Sequence, residues 1–309
     1  MFRVFILIIG LSLSHNISIC QEKKNIIIDA DTANEIDDMF AIVRALIEPS
    51  FNVLGITSAH FHTSPYASKN SNLESHKVNL KIIELLNIEN IPLFIGSNKP
   101  IENSLKPSIS EASNFIVKVV NQLSEDEKLI ILILGPCTNI ASAILQEPSI
   151  ISKIEVYYIG FWHDPIQNKY SKEEFNTRND RLALDLLLNT KGLNFNVMSA
   201  STSQNLVFKK SNVFDNLKED DGIGRYLINR WNTYDRWWTK VDPLKNEWIM
   251  WDLALIEALI DSNFAKKEQF YTPKENVNRL INIYTYIDVT QMKIDFWKEI
   301  RKIIKSDIH

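Results

Sequence analysis

Cysteine is almost missing from this chain: 309 residues hold two, Cys20 and Cys137. Cys20 closes an N-terminal segment expected to be removed or modified, which leaves Cys137 alone in the mature chain. A lone thiol forms no intrachain disulfide and no thiolate metal site, so the fold must rest on packing. A basic field is missing too. The net charge is −4, the pI is about 5.9, and lysines and arginines are scattered, which excludes a broad electrostatic grip on nucleic acid or anionic lipid. No apolar run suffices for a membrane-spanning helix, since Val4 to Leu13 falls well short of about 20 residues. No repeat, low-complexity tract or linker divides the mature chain. With 45% hydrophobic residues, 21–309 reads as one domain with a sizeable core.

The N-terminus has its own pattern. Arg3 precedes the short apolar stretch, and polar residues come after it. That is the layout of a secretory signal peptide over residues 1–20, with cleavage expected near Cys20–Gln21 and export to the periplasm or the extracellular space. A lipid anchor on Cys20 is the second reading, disfavoured because Ile19 is a poor fit to the small residue required there.

Further on, apolar runs of strand length alternate with helical patterns. "NIIIDA", "FNVLGITSA", "IPLFIG", "KLIILILG", "KIEVYYIGFW" and "NFNVMSA" read as strands, and stretches such as "LESHKVNLKIIELLNI" and "NDRLALDLLLNT" read as helices. Strands that do not alternate, separated by helices, are covered on both faces. The fold class expected is α/β: an open, mostly parallel sheet with helices on both faces, and a helical, aromatic-rich part from Asn212 onward.

In such folds ligands sit at the carboxyl ends of the strands. Polar residues mark three of those ends: Asp29 to Asp38, Ser58 to His62, and Gly160 to Asp164. The first holds Asp29, Asp31, Asp37 and Asp38, with Glu35 among them. Helix capping accounts for one or two acids, not four. Hard oxygen ligands without clustered Cys or His point to Ca²⁺ or Mg²⁺. An Asp-x-Asp ending a first strand also occurs in phosphatases of the haloacid dehalogenase type, but those need a lysine and a late acidic pair at strand ends, and no convincing late pair is found.

Six segments fall in a telling order: "DADTANEIDD", "KNSNLESHKVN", "PLFIGSNKP", "LGPCTNIASAI", "NKYSKEEFN" and "MWDLALI". Together they resemble the inosine/uridine-preferring nucleoside hydrolase family over nearly the whole mature chain. The family's opening Asp-x-Asp-Pro-Gly-x-Asp-Asp is here two residues longer and lacks Pro-Gly. The resemblance implies a Ca²⁺ held by Asp31, Asp38, Asp252 and the Leu134 carbonyl. It further implies Asp31 as the base for the attacking water and Asn70 as a group orienting that water. Asp37 and Asn176 would hold the ribose 2′-hydroxyl, Asp252 the 3′-hydroxyl, and Asn168 with Glu174 the 5′-hydroxyl, with Asp180 following at the expected distance. The implied reaction cleaves the N-glycosidic bond of a ribonucleoside, a small-molecule partner, in the service of purine salvage. A homo-oligomer is compatible with all of this.

Many members of that family carry a histidine just before the last metal aspartate, as the acid for the leaving base. Here that residue is Trp251. A purine-specific branch of that family likewise has tryptophan there and uses ring stacking, which raises the basicity of the purine so that solvent can protonate it, so the resemblance implies a purine preference; the alternative is that Trp251 packs in the core. His60, His62, Trp162 and His163, at departures from the family pattern, are candidates to line the pocket. Trp231, Tyr234 and Trp238, at helical spacing in the aromatic run, are expected in the core. An exported riboside- or sugar-binding protein without turnover is the reading from another class.

Overall fold

The computed structural model describes residues 23–235 and 237–304, without the side chains of residues 237 and 238, so the expected signal segment, Cys20 and the Trp238 side chain lie outside the described residues. The strands are β1 (Lys24–Ala30), β2 (Phe51–Ser58), β3 (Leu93–Ile95), β4 (Leu129–Ile133), β5 (Ile154–Gly160), β6 (Trp162–Asp164), β7 (Lys169–Ser171), β8 (Asn194–Ser199), β9 (Val207–Lys209), β10 (Glu247–Ile249), β11 (Ala265–Tyr271) and β12 (Leu280–Ile287). Eight of them form one sheet in the order β11-β12-β8-β5-β4-β1-β2-β3. All neighbours in it are parallel except β11, which pairs antiparallel with β12 at the edge. β6 pairs with β7 and β9 with β10 in two small ribbons.

The helices are α1 (Asp37–Leu46), α2 (Ser71–Leu85), α3 (Glu111–Gln122), α4 (Thr138–Gln146), α5 (Phe175–Asn179), α6 (Arg181–Asn189), α7 (Ala200–Ser203), α8 (Lys210–Leu217), α9 (Ile223–Thr233), α10 (Trp251–Ile260) and α11 (Val289–Ile304). Consecutive β1 residues point to opposite faces, and Ile26, Ile27 and Ile28 are all fully buried. One face puts Ile26 and Ile28 into a core shared with Phe40, Leu255 and Phe296 of α1, α10 and α11. The other puts Ile27 into a core with Ile116, Ile140 and Leu184 of α3, α4 and α6. This is why the strand sequences run apolar without alternation, as expected.

The region after Asn212 is helical in α8 to α11, and Trp231 and Tyr234 sit in the core as expected. It also supplies β11 and β12 to the sheet, which the helical reading of that part passes over. β11 is mostly exposed, so its sequence "AKKEQFY" is too polar to announce a strand.

Helix α10 is apolar around nearly its whole circumference and buried from Asp252 to Leu259, the signature of a helix enclosed on every side. A charged network ties it down. Arg44 of α1, fully buried, pairs with Glu48 at 2.8 Å, Glu257 of α10 at 3.0 Å and Asp295 of α11 at 2.6 Å. Those bonds fix how α1 and α10 lie against each other, and therefore how their first turns meet. Removing one partner from a buried ion network costs about 3–5 kcal/mol, because the remaining charge is left without a counterion. Arg44→Ala should lower unfolding stability by roughly that amount in denaturant titration; a loss below about 1 kcal/mol, the usual worth of a surface pair, would show that the network does not hold these helices.

Candidate active site

The strand order locates the crevice. From β1 the chain runs outward through β2 to β3, then crosses back to β4 on the opposite side of β1 and continues through β5 and β8. The switch point therefore lies between the carboxyl ends of β1 and β4, where ligands of open α/β sheets bind. A cavity of about 510 Å³ opens there, lined by Asp31, Glu35, Asp37 and Asp38 after β1 and by Leu134 after β4. Glu174, Asn176, Trp251 and Asp252 line it too.

Four of these acids are buried almost completely: Asp31, Asp37, Asp38 and Asp252 are 1–4% exposed. Asp37 and Asp38 stand in the first turn of α1 and Asp252 in the first turn of α10, so two positive helix ends converge on the carboxylates. Asp37 Oδ2 also accepts a 3.3 Å bond from the Asp252 amide. Asp37, Asp38 and Asp252 can each offer one oxygen within 4.8 Å of the others. Burial, then the charges of their neighbours, pushes Asp31, Asp38 and Asp252 well above the usual carboxylate range. Burial likewise raises Asp37 to about 6. The buried oxygens Asp31 Oδ2 and Asp38 Oδ1 have no hydrogen-bond partner. Unpaired, mutually repelling, all-oxygen ligands suit a hard divalent cation.

The expected cation ligands are Asp31, Asp38, Asp252 and the Leu134 carbonyl. The closest triple contains Asp37 in place of Asp31, which borders it near enough for its charge to act on both Asp38 and Asp252. The Leu134 carbonyl accepts from Asn176 Nδ2 at 3.2 Å, and the same amide group reaches the Ile159 carbonyl at 3.2 Å. Asn176 thus pins together the ends of β4 and β5, and a carbonyl retains a second lone pair for another partner. A Cβ at Gly135 would stand 3.1 Å from Asp31, so glycine lets this turn approach the acid without pushing it back by a few tenths of an ångström. Glu174 caps α5, its two oxygens accepting the amides of Asn176 at 2.8 Å and Thr177 at 2.9 Å.

Two expected site residues are not brought to the cavity. Asn70 is the exposed N-cap residue of α2, its side chain 3.4 Å from Asn98. Further along that helix the buried Asn79 accepts a 2.6 Å bond from Thr32 and so touches the acidic loop instead. Asn168 lies in the turn between β6 and β7 at φ 48°, with its side chain spent on His163 at 3.0 Å and the Tyr271 carbonyl at 3.3 Å. Asp29 and Asp180 lie outside the lining as well. Asp29 holds Thr57 and Asn139, and Asp180 caps α6 and accepts from Thr138.

Of the aromatic and histidine candidates, Trp162 and Trp251 line the cavity, edge to face at right angles with centroids 5.9 Å apart. His60, His62 and His163 do not. His60 is fully buried, bonded to Thr138 at 2.9 Å and His62 at 3.1 Å, and burial lowers it to about 3. Among the described residues no histidine, lysine, tyrosine or cysteine lines the cavity. The phosphatase reading therefore lacks its lysine there. Sequence reading missed Trp248, whose indole N–H donates to Glu35 at 3.2 Å, and Arg178 on the rim. The repeated indole in "EWIMWD" could have signalled the first, whereas nothing marks an exposed arginine on a five-residue helix.

Likeness to known proteins bears on the family and the fold. The chain is 23% identical to a probable uridine nucleosidase 1 of Oryza sativa subsp. japonica over 245 residues, which cover 71% of this chain and 72% of that protein. It is 27% identical to the pyrimidine-specific ribonucleoside hydrolase RihB of Escherichia coli over 161 residues, 45% of this chain and 48% of that one. Its fold matches that of a purine-preferring ribonucleoside hydrolase from Gardnerella vaginalis with a TM-score of 0.72, at 18% identity, over 91% of this chain and 99% of the other. The inosine-uridine preferring nucleoside hydrolase model matches residues 26–299, and the chain belongs to that family of N-glycosyl hydrolases.

Proposed function

We propose that this protein hydrolyses purine ribonucleosides to free base and ribose, using a calcium ion held on the acid cluster. The observation carrying this reading is the pairing, in one cavity, of orphaned buried carboxylate oxygens with the wall made by Trp162 and Trp251. Asp38, Asp252, Asp31 and the Leu134 carbonyl would hold the ion, with Asp37 at hand in the closest triple. When bound, a divalent cation supplies a water of lowered pKa and a grip on vicinal hydroxyls. Export by residues 1–20 would put the reaction outside the cytoplasm, supplying base for purine salvage.

The protein's own groups do the rest. Asp31 takes the proton of the attacking water as the C1′–N bond opens through an oxocarbenium-like state. Asp37 with Asn176 grips the 2′-hydroxyl, Asp252 the 3′-hydroxyl and Glu174 the 5′-hydroxyl. A site built around a hydroxyl rejects sugars that lack it, so deoxyribosides are disfavoured. Among the described residues the lining offers no imidazole to protonate the departing base. Purines stacked on Trp251 can take that proton from solvent at N7, and pyrimidines have no such site, hence the preference.

A protein that binds ribosides without turnover would release no reducing sugar, so a nucleoside panel with calcium present separates the two readings. Exhaustive EDTA dialysis should abolish release and lower the melting temperature. In the cation-free protein the raised Asp37 contributes stability that is complete below pH about 3.8 and lost as pH climbs through about 6. Calcium should cancel that fall, and an unchanged melting temperature across pH 4–7 with and without EDTA would remove the metal from the account.

Asp31→Asn should keep the fold and cost roughly 10²–10⁴-fold in turnover, the usual worth of a positioned base; near-normal kcat would move the base elsewhere. For Trp251→Ala, base stacking worth about 1–3 kcal/mol predicts up to roughly a hundredfold lower kcat on inosine. The same variant should leave a nitrophenyl riboside, whose leaving group needs no proton, largely intact. Equal losses on both substrates, or uridine cleaved faster than inosine by the unaltered enzyme, would rule stacking out.

A further inference from the structure

The cavity lining is lopsided in a way that neutral nucleosides do not need. Among the described residues it contains nine carboxylic acids and one base, Arg178, and one of the acids, Glu173, is paired with Arg181 outside the lining. Four of the acids form the floor already described. The others, among them Glu35, Asp242 and Glu247, lie outside the triple whose oxygens converge on one point. The excess of acid survives the two charges of a divalent cation. Charges that line one cavity focus their field on whatever enters it, and salt weakens that field.

A second and independent feature points to the ligand. Trp162 and Trp251 meet at 90° and form an aromatic corner in the same cavity as these acids. Trp248 joins them on the cavity wall, its N–H held by Glu35 and its ring braced against Trp231 at 5.2 Å and Tyr234 at 4.9 Å. Indole faces within an acid-lined cavity are the chemistry that receives an organic cation, because the ring quadrupole and the carboxylates attract the same charge. Meanwhile, among the described residues, the cavity lacks an imidazole, phenol, thiol or ammonium group to protonate a neutral leaving base.

We infer that ribosides whose base is cationic before cleavage, N-ribosylpyridinium or N7-alkylated purine ribosides, are a substrate class of this site. The inference rests on the ribonucleoside hydrolase reading above. The reaction balances without a general acid. Water oxygen bonds to C1′ while the C1′–N bond breaks, and its electron pair neutralises the ring nitrogen. The base leaves uncharged, and the water's proton passes to Asp31 and then to solvent. Cation–π attraction favours such a base over its neutral counterpart by roughly two- to thirtyfold.

The test separates binding from the intrinsic lability of charged ribosides. 1-Methylnicotinamide, a pyridinium that cannot be hydrolysed, and neutral nicotinamide are compared as competitive inhibitors of inosine cleavage by the calcium-loaded enzyme. The cation should have a Ki at least fivefold lower, and the gap should narrow as salt is raised from 20 to about 300 mM, where the Debye length has shortened. N-ribosylnicotinamide should be cleaved with a kcat/KM at least tenfold above that for uridine. In Asp242→Asn/Glu247→Gln the ratio of kcat/KM for N-ribosylnicotinamide to that for inosine should fall by fivefold or more. Equal Ki values for the two inhibitors, or an unchanged ratio in the double variant while inosine is still cleaved, would overturn the inference and leave the hydrolase reading standing. Failure to cleave any riboside would instead remove the hydrolase reading, and this inference with it.

Discussion

Buried carboxylates that repel one another are the constraint around which this molecule is arranged. Asp31, Asp37, Asp38 and Asp252 sit within a few per cent of complete burial at the switch point of the sheet. Their mutual charge would drive the cavity floor apart unless something positive is present. Two helix N-termini supply part of that. The rest of the architecture keeps those termini aimed at one point: α10 is enclosed on all sides, and the buried Arg44 ties α1 to α10 through Glu257 and to α11 through Asp295. Strong electrostatic tension at the floor and strong electrostatic clamping behind it are two ends of the same helices.

Several residues that read as sugar-binding also hold the scaffold. Asn176 bridges the carbonyls that end β4 and β5, and Glu174 caps α5 with both oxygens. Such side chains are fixed before any ligand arrives, so contacts with ribose would cost little further ordering. The aromatic wall is held likewise, since the Trp248 ring is wedged among Trp231 and Tyr234. The polar end and the aromatic end of the cavity therefore differ in chemistry but share rigidity.

Much of this is legible in the chain. Three consecutive isoleucines in β1 announce a strand buried on both faces, and the acids after it announce the crevice. The motif order gathers Asp31, Asp37, Asp38, Leu134, Glu174, Asn176, Trp251 and Asp252 around one cavity, where the structure has them all. What escapes has physical causes. Within the polar insertion before α2, letters alone do not fix the helix phase, so the motif points to Asn70 while Asn79 is the residue turned toward the acidic loop. Asn168 occupies a left-handed turn whose hydrogen bonds to His163 and Tyr271 turn it elsewhere, and a long-range bond of that kind leaves no local trace. The edge strand β11 is nearly all exposed, so its polarity hides it.

The central claim, that the acid cluster is a cation site, is tested most directly by calorimetric titration of Ca²⁺ into chelator-treated protein in buffers of different ionisation enthalpy. Carboxyl groups raised by burial and by one another hold protons that a bound cation must displace. The account predicts one site per chain, release of protons on binding near pH 6, and loss of the site in Asp38→Asn. Absence of binding, or binding without proton release that persists in Asp38→Asn, would contradict it.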